Sequence, residues 1–405
     1  MINDKLCVIP WIHMNVESNG TVIPCCMTAA HNYTVGDANT QTIEQLWNNN
    51  AMTALRRDMI SGIEPRICNK CFDQERVLGH SSRTHHNVTF KSSYENIPNI
   101  TNSDGTVTEL KLKYWDFRFS NICNLKCRSC GPRYSSAWVP DANKMKLSVQ
   151  DKIWHIEQVD NKPNYEFLEQ HIGYVEKIYF AGGEPLMMQE HWDTLELIDK
   201  HNRYDVRVLY NTNLSVLTYN KRNVLDYWKN WKKGQLHVSV SIDEIDERAE
   251  YVRSGTNWAK LENNLLTVNK LDNVILWPSI TVSVYNVFRL PEIIERLISL
   301  GVVNSKFNYK NFHINMLTDP KSQRVSVLPQ QFREEIIKKL REYMITFKQR
   351  YNSDLGSMFN YAFEYLNRQE TSDIVNKFLT YSEKLDVIRN ESTFNVIPEL
   401  KCLRS

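Results

Sequence analysis

Apolar and polar positions along this chain repeat at two different periods. Runs with strand character occupy residues 112–119, 175–181, 206–211, 236–242, 274–284 and 307–316, and residues 192–201, 258–271 and 290–300 carry the three-to-four spacing of amphipathic helices. Strands that alternate with helices must be joined by crossovers, so six such units in succession predict an α/β domain on a parallel sheet over residues 108–318. Beyond it the pattern is helical throughout. Phe332, Ile336, Leu340, Tyr343, Phe347 and Tyr351 stand three or four residues apart within 328–351, and further helical material runs over 358–389. The apolar stripe predicts core packing, and the 319–405 extension is expected to cover the open side or floor of the sheet domain.

Ahead of the sheet domain, residues 1–87 read as a small α+β module. Its clearest local signal is the hairpin turn Ser18-Asn19-Gly20-Thr21, where Asn-Gly suits the positive φ values of a tight turn. Residues 88–107 are polar and rich in turn formers, among them Pro98, Asn99, Asn102, Ser103, Asp104 and Gly105, and are predicted to be a linker. The 405 residues exceed one typical domain, and 42% hydrophobic residues suffice for a sizeable core. A net charge of +2 with dispersed Lys and Arg argues against a nucleic-acid partner. No apolar stretch approaches the roughly 18 residues of a membrane span, and residues 1–5 lead to Cys7 without the apolar core of a signal peptide. A cytoplasmic, reducing location is expected.

In such a compartment grouped cysteines read as metal or redox sites before disulfides. Cys123, Cys127 and Cys130 form C-x3-C-x2-C. That is three thiolates where a cubane iron–sulfur cluster takes four, which leaves one iron for a ligand that is not protein. A zinc knuckle is the alternative, but no Cys or His follows Cys130 at short spacing to close it. The motif resembles that of the radical S-adenosylmethionine (SAM) superfamily. The resemblance implies a partial (β/α)6 barrel, a [4Fe-4S] cluster with an open iron, and SAM chelated there and cleaved reductively to a 5′-deoxyadenosyl radical that takes hydrogen from a substrate. It also implies a reducing partner such as flavodoxin or ferredoxin. The cysteine loop follows the first predicted strand, at the end where parallel barrels gather their chemistry.

Three further strand ends extend the resemblance. Gly182-Gly183-Glu184-Pro185 closes the second strand like the superfamily's second signature, whose backbone receives the SAM amino group. Asn213 stands where relatives carry a Thr-Asn-Gly turn, with Leu214 in place of the glycine. On the fourth strand His237, Ser239, Ser241 and Asp243 share one face by period-two alternation. Ser241 resembles a serine that relatives set against the SAM carboxylate, and Arg253 a downstream arginine near the same group. Sheet packing is the plain alternative for Ser239, and a solvent-facing salt bridge for Arg253. Ser129 replaces the aromatic residue that relatives carry before the third cysteine, so adenine stacking is assigned to Tyr114, Phe117, Phe119 or a later strand.

Twelve residues separate Cys7 from Gly20, four separate Gly20 from Cys25, and Cys68 and Cys71 form C-x2-C. This spacing resembles the auxiliary-cluster module called SPASM or, in its short form, twitch, with residues 42–47 and 56–62 as the helix before the knuckle. In most relatives the module follows the barrel, whereas here it precedes it. The resemblance implies a second Fe-S cluster, of the [4Fe-4S] type, on Cys7, Cys25, Cys68 and Cys71 that accepts or relays electrons; a structural zinc site on the same four is the alternative. Cys26 is expected to be a packed spare and Cys402 a free, mobile thiol. Those two are the candidate hydrogen-atom donors if the reaction is redox-neutral, as in epimerisation; an oxidative or cross-linking course needs neither. A peptide or protein side chain is the expected substrate, with a small molecule as second choice and a non-catalytic zinc-binding or electron-transfer protein as the contrasting class.

Overall fold

The computed structural model describes residues 3–17, 19–28, 33–147, 165–303, 312–368 and 372–404. Two compact units emerge from its contacts: Met1–Ser120 with Ile156–Gly182 and Met188–Leu209, and Asn121–His155 with Gly183–Met187 and Tyr210–Ser405.

In the first unit, strands β1 (Tyr114–Phe117) and β2 (Lys177–Phe180) pair in parallel, with Tyr114 opposite Lys177 and Asp116 opposite Tyr179. Successive strand residues face opposite sides. Phe117 stacks on Phe180 at 5.7 Å between centroids, and Phe180 meets His191 of helix Gln189–Lys200 at 4.8 Å. Phe117 and Phe180 therefore face the helix, and Tyr114, Asp116, Lys177 and Tyr179 face away from it.

The N-terminal module continues this sheet. Asn15–Val16 pairs in parallel with β1 through Asn15 and Asp116, and antiparallel with Thr21–Ile23, which pairs in turn with Gly36–Asp37. The predicted hairpin forms, with Glu17 N donating to Thr21 O at 2.9 Å and Gly20 in the left-handed region at φ +85°. Thr42 and Gln45 build a capping box on helix Ile43–Trp47, and Asn49 caps helix Asn50–Ile60.

One expectation fails here. The segment expected to be a linker carries helix Lys91–Ile100, with Pro98 inside it. Phe90 and Ile97 are buried and Tyr94 half-buried on one face, and this apolar spacing outweighs the turn formers between them. The turn signals hold only at 102–106, which the bridge between Thr101 and Val107 closes.

Strand β3 (Arg207–Thr212) crosses the division, with residues 207–209 in the first unit and 210–212 in the second. In the second unit, β4 (Leu236–Ser241), β5 (Val274–Val282) and β6 (His313–Met316) pair in parallel, setting Ser241 opposite Ser279 and Ser279 opposite His313. Residues 307–311 of the predicted sixth strand lie outside the described residues. Helices Asp246–Val252 and Trp258–Val268 join β4 to β5, and Leu290–Ser299 lies between β5 and β6. Parallel strands with intervening helices are the predicted α/β class, a partial (β/α)6 barrel with a small module before it and helices after it.

The extension forms helices Gln330–Tyr351, Gly356–Leu366 and Ser372–Arg389. Ile336, Leu340 and Phe347 are buried as the stripe predicts, and Phe332 packs on Phe288 at 5.1 Å. No helix among the described residues is long and apolar enough to cross a membrane.

Candidate active site

The short strand Lys126–Cys127 pairs antiparallel with Arg253–Ser254, which sets Arg253 opposite Cys127. Arg253 Nη1 donates to Asp243 Oδ2 at 2.8 Å, and the arginine side chain is only 15% exposed. The solvent-facing salt bridge that the sequence left open is thus excluded. Burial pushes the Cys123 thiol up to about 11 and Cys130 to about 12, and raises Cys127; the Arg253 charge opposes that rise in all three, and Cys127 acts on both of the others. Three thiols therefore converge beside one buried guanidinium. Thiols that resist ionisation alone give up their protons to a bound cation, and a neighbouring positive charge eases that step.

The loop around these thiols is held from within. Cys123 N donates to Ser136 Oγ at 3.2 Å, Leu125 N to Cys123 Sγ at 3.5 Å, and Trp138 Nε1 to Cys127 O at 2.9 Å. Arg128, between the second and third cysteines, is fully buried. Its Nη2 lies 2.5 Å from both Asp386 Oδ1 and Glu391 Oε2, and its guanidinium sits over the Tyr251 ring at 3.8 Å. Tyr381 Oη and Gln323 Nε2 both donate to Arg128 O, at 3.2 and 2.9 Å. Helix Ser372–Arg389, expected on the floor or open side, grips the cysteine loop itself.

The second signature packs against the same loop. A Cβ on Gly183 would lie 2.2 Å from Ile122 O, so only glycine fits, and Glu184 N donates to Ile122 O at 2.7 Å. Gly182 takes φ +112°, and Pro185 is buried at the start of the turn Pro185–Met187. The Glu184 side chain is 1% exposed: Oε1 accepts from Thr212 Oγ1 at 2.6 Å and Leu186 N at 3.3 Å, and Oε2 accepts from Asn213 N at 2.6 Å. Burial raises its pKa and these bonds oppose the rise. Asn213 Nδ2 reaches Asn124 Oδ1 at 3.0 Å and Cys123 Sγ at 3.8 Å, which joins the third strand end to the cysteine loop. Leu214 takes φ +50°, the conformation that explains a glycine at this place in relatives; here Leu214 is fully buried and its carbonyl accepts from Asn264 Nδ2 at 2.8 Å. Ser241 stands half-buried at the end of β4, two residues before the Asp243 that holds Arg253.

A second group of thiols lies in the first unit. Cys68 precedes helix Asn69–Leu78 and Cys71 lies in its first turn. Burial raises Cys7 well above the usual thiol range, with Cys25, Cys68 and Cys71 adding to the rise; burial likewise pushes Cys25 up to about 12 and raises Cys68. The four thiols thus lie within electrostatic reach of one another.

Both spare cysteines depart from expectation. Cys26 is exposed as a residue, yet burial of its thiol is the main cause that raises it, with Asp116 adding to the rise and Arg118 and Lys177 opposing it. Cys402 is half-buried within the 3-10 helix Pro398–Leu403 and is not a mobile thiol, because the chain is still wound and packed there.

A family model for the radical SAM superfamily matches residues 117–276, and one for an iron–sulfur cluster-binding domain, SPASM, matches residues 7–72. Residues 117–276 are a radical SAM domain. Among solved structures this radical SAM protein is similar to native anSMEcpe with bound AdoMet, at 17% identity over 60% of this chain and 62% of that one, with a TM-score of 0.40. It is also similar to Streptococcus suis SuiB, at 11% identity over 87% of this chain and 70% of that one, with a TM-score of 0.38. SuiB bound to precursor peptide SuiA aligns at 11% identity over 96% of this chain and 73% of that one, with a TM-score of 0.36. A search of the curated proteins gives no match. A radical SAM protein with a SPASM module carries [4Fe-4S] clusters and binds SAM, and both donor sets fit: three thiols beside a cation in one unit, four mutually coupled thiols in the other.

Sequence reasoning missed two parts of this radical SAM site. The motif that contains Glu184 does not reveal that its carboxylate accepts from Thr212, Leu186 and Asn213. Arg128 went unnoticed because its partners lie more than 250 residues away in the chain, a separation that no local pattern encodes.

Proposed function

We propose that this radical SAM enzyme acts on a peptide or protein side chain and that its reaction is oxidative or cross-linking. In this reading residues 1–87 form the auxiliary-cluster module, 108–318 the catalytic core and 319–405 the extension. Cys123, Cys127 and Cys130 hold the cluster that binds SAM, and Cys7, Cys25, Cys68 and Cys71 hold the auxiliary cluster. When bound, the first cluster and SAM supply a 5′-deoxyadenosyl radical, and the second cluster supplies a route for an electron. The chain positions them. Gly182 and Gly183 bring backbone carbonyls to the SAM amino group, with Pro185 stiffening the turn. Asn213 orients the cysteine loop, and Arg253, with Ser241 nearby, receives the SAM carboxylate while Asp243 fixes its guanidinium.

The observation that carries this reading is the pair of thiol sets, three with one cation and four without a fifth ligand needed. Relatives with SPASM or twitch modules commonly act on peptides, which makes a peptide the first substrate to try and a small molecule the second. Under anaerobic reduction the reconstituted enzyme is expected to form 5′-deoxyadenosine from SAM. Replacing Cys123, Cys127 and Cys130 by Ala should abolish it; Cys68→Ser with Cys71→Ser should leave it while removing turnover of substrate. Full turnover in the second variant would refute a redox role for the auxiliary site, and stimulation by small molecules alone would refute the peptide assignment.

A further inference from the structure

The face of β1 and β2 that turns away from the helix carries charge where a sheet interior is ordinarily apolar. Asp116, with its carboxylate fully buried, accepts from Arg118 Nε at 3.1 Å, and Arg118 Nη1 lies 4.0 Å from Glu17 Oε1. One arginine is therefore shared by two carboxylates. Lys177 has no such partner. It is 8% exposed, its ammonium lies over the Tyr114 ring at 4.5 Å, and among the described residues no carboxylate stands within ion-pair distance of it. Arg207, at the start of β3, donates its backbone N–H to Glu176 O at 3.1 Å, and its buried Nε has no hydrogen-bond partner. Among the described residues the local balance is three cations, Arg118, Lys177 and Arg207, against two carboxylates, Asp116 and Glu17. The remaining neighbours do not correct it: His13 Nδ1 donates to Tyr114 O at 2.9 Å, the His13 ring stacks on that of Tyr114 at 4.5 Å, and burial drives it toward its neutral form.

An ammonium held out of water without a counter-ion costs several kcal/mol, and a hydrophobic residue of the same length would fill the site at no such cost. Burial and the Arg207 charge pull Lys177 down to about 8, so it remains mostly protonated at neutral pH. The strip can be reached from solvent at its Arg118 end, where the arginine side chain is 23% exposed.

We propose that Lys177 and Arg207, with Arg118 beside them, form an oxyanion subsite for the substrate, taking a carboxylate or a phosphate group. This deepens the radical SAM reading and rests on it. The Tyr114 ring lies under the Lys177 ammonium, and Asp116 holds Arg118 through their ion pair.

The test is calorimetric titration of the anaerobically reconstituted, SAM-loaded full chain with three probes: inorganic phosphate, acetyl-Gly-Glu-Gly-amide and acetyl-Gly-Gln-Gly-amide. At least one oxyanion probe should bind while the neutral glutamine peptide does not, and which of the two binds tells phosphate from carboxylate. Lys177→Met and Arg207→Gln should each weaken that binding by about tenfold or more, and Lys177→Arg should retain most of it. Iron content close to that of the wild type reports that a variant is folded; if Lys177→Met does not fold, Arg207→Gln carries the test. Equal binding of charged and neutral peptides with no phosphate binding, or unchanged binding in the folded variants, overturns the subsite. Failure of the radical SAM reading is seen separately, as absence of 5′-deoxyadenosine from the wild-type enzyme.

Discussion

Gly183 shows how far one missing methyl group decides the site. Its backbone lies where a Cβ would be 2.2 Å from Ile122 O, a backbone atom of the cysteine loop that cannot swing aside. Gly183→Ala is therefore expected to force the loop away from the second signature, and the reconstituted variant should lose the iron held by Cys123, Cys127 and Cys130. Iron retained at the wild-type level would show that the loop yields without cost. Arg253 acts through charge. It opposes the burial that raises the thiols of Cys123, Cys127 and Cys130, so without it these thiols ionise only at higher pH. In Arg253→Gln the pH needed for half-maximal cluster assembly on the apo-protein should move upward, and in Arg253→Lys it should stay near the wild-type value. An unchanged profile in the glutamine variant would remove the guanidinium from metal loading.

At the scale of elements, the extension's last long helix serves the cysteine loop. Arg128 is buried with Asp386 and Glu391 on one side and the Tyr251 ring beneath it, and Arg389 of the same helix pairs with Asp141 at 2.8 Å and covers Trp138 at 4.6 Å. Removing both carboxylates leaves a buried cation without compensation, which costs about 3–5 kcal/mol. The double variant Asp386→Asn, Glu391→Gln should lower the urea midpoint accordingly and speed amide exchange over residues 372–389; exchange at the wild-type rate would mean that the helix is anchored elsewhere. The sequence reveals this helix through its periodicity but not its destination, because the side chains that fix it are polar and their partners are remote. Helix Lys91–Ile100 fails in the opposite way: Pro98, Asn96 and Asn99 favour a turn, and only the packing of Phe90 and Ile97 overrides that preference.

For the whole molecule, the cysteine spacings and the period-two runs carry most of what the structure holds. The three-thiol loop, the four-thiol module, the glycine signature and five of the six strands stand close to where those patterns put them. What the sequence does not disclose is convergence: the antiparallel pairing that brings Arg253 to Cys127, the carboxylate of Glu184 turned inward onto Asn213, and the charged strip around Lys177. Each depends on residues that look ordinary until two distant segments meet. The central claim is that this radical SAM chain carries two clusters, one on three thiols and one on four. Iron, sulfide and zinc assayed together on the anaerobically reconstituted protein test it most directly. About eight iron and eight sulfide per chain are expected in the wild type, falling to about four of each in Cys68→Ser, Cys71→Ser; about four iron with one tightly held zinc in the wild type would contradict it.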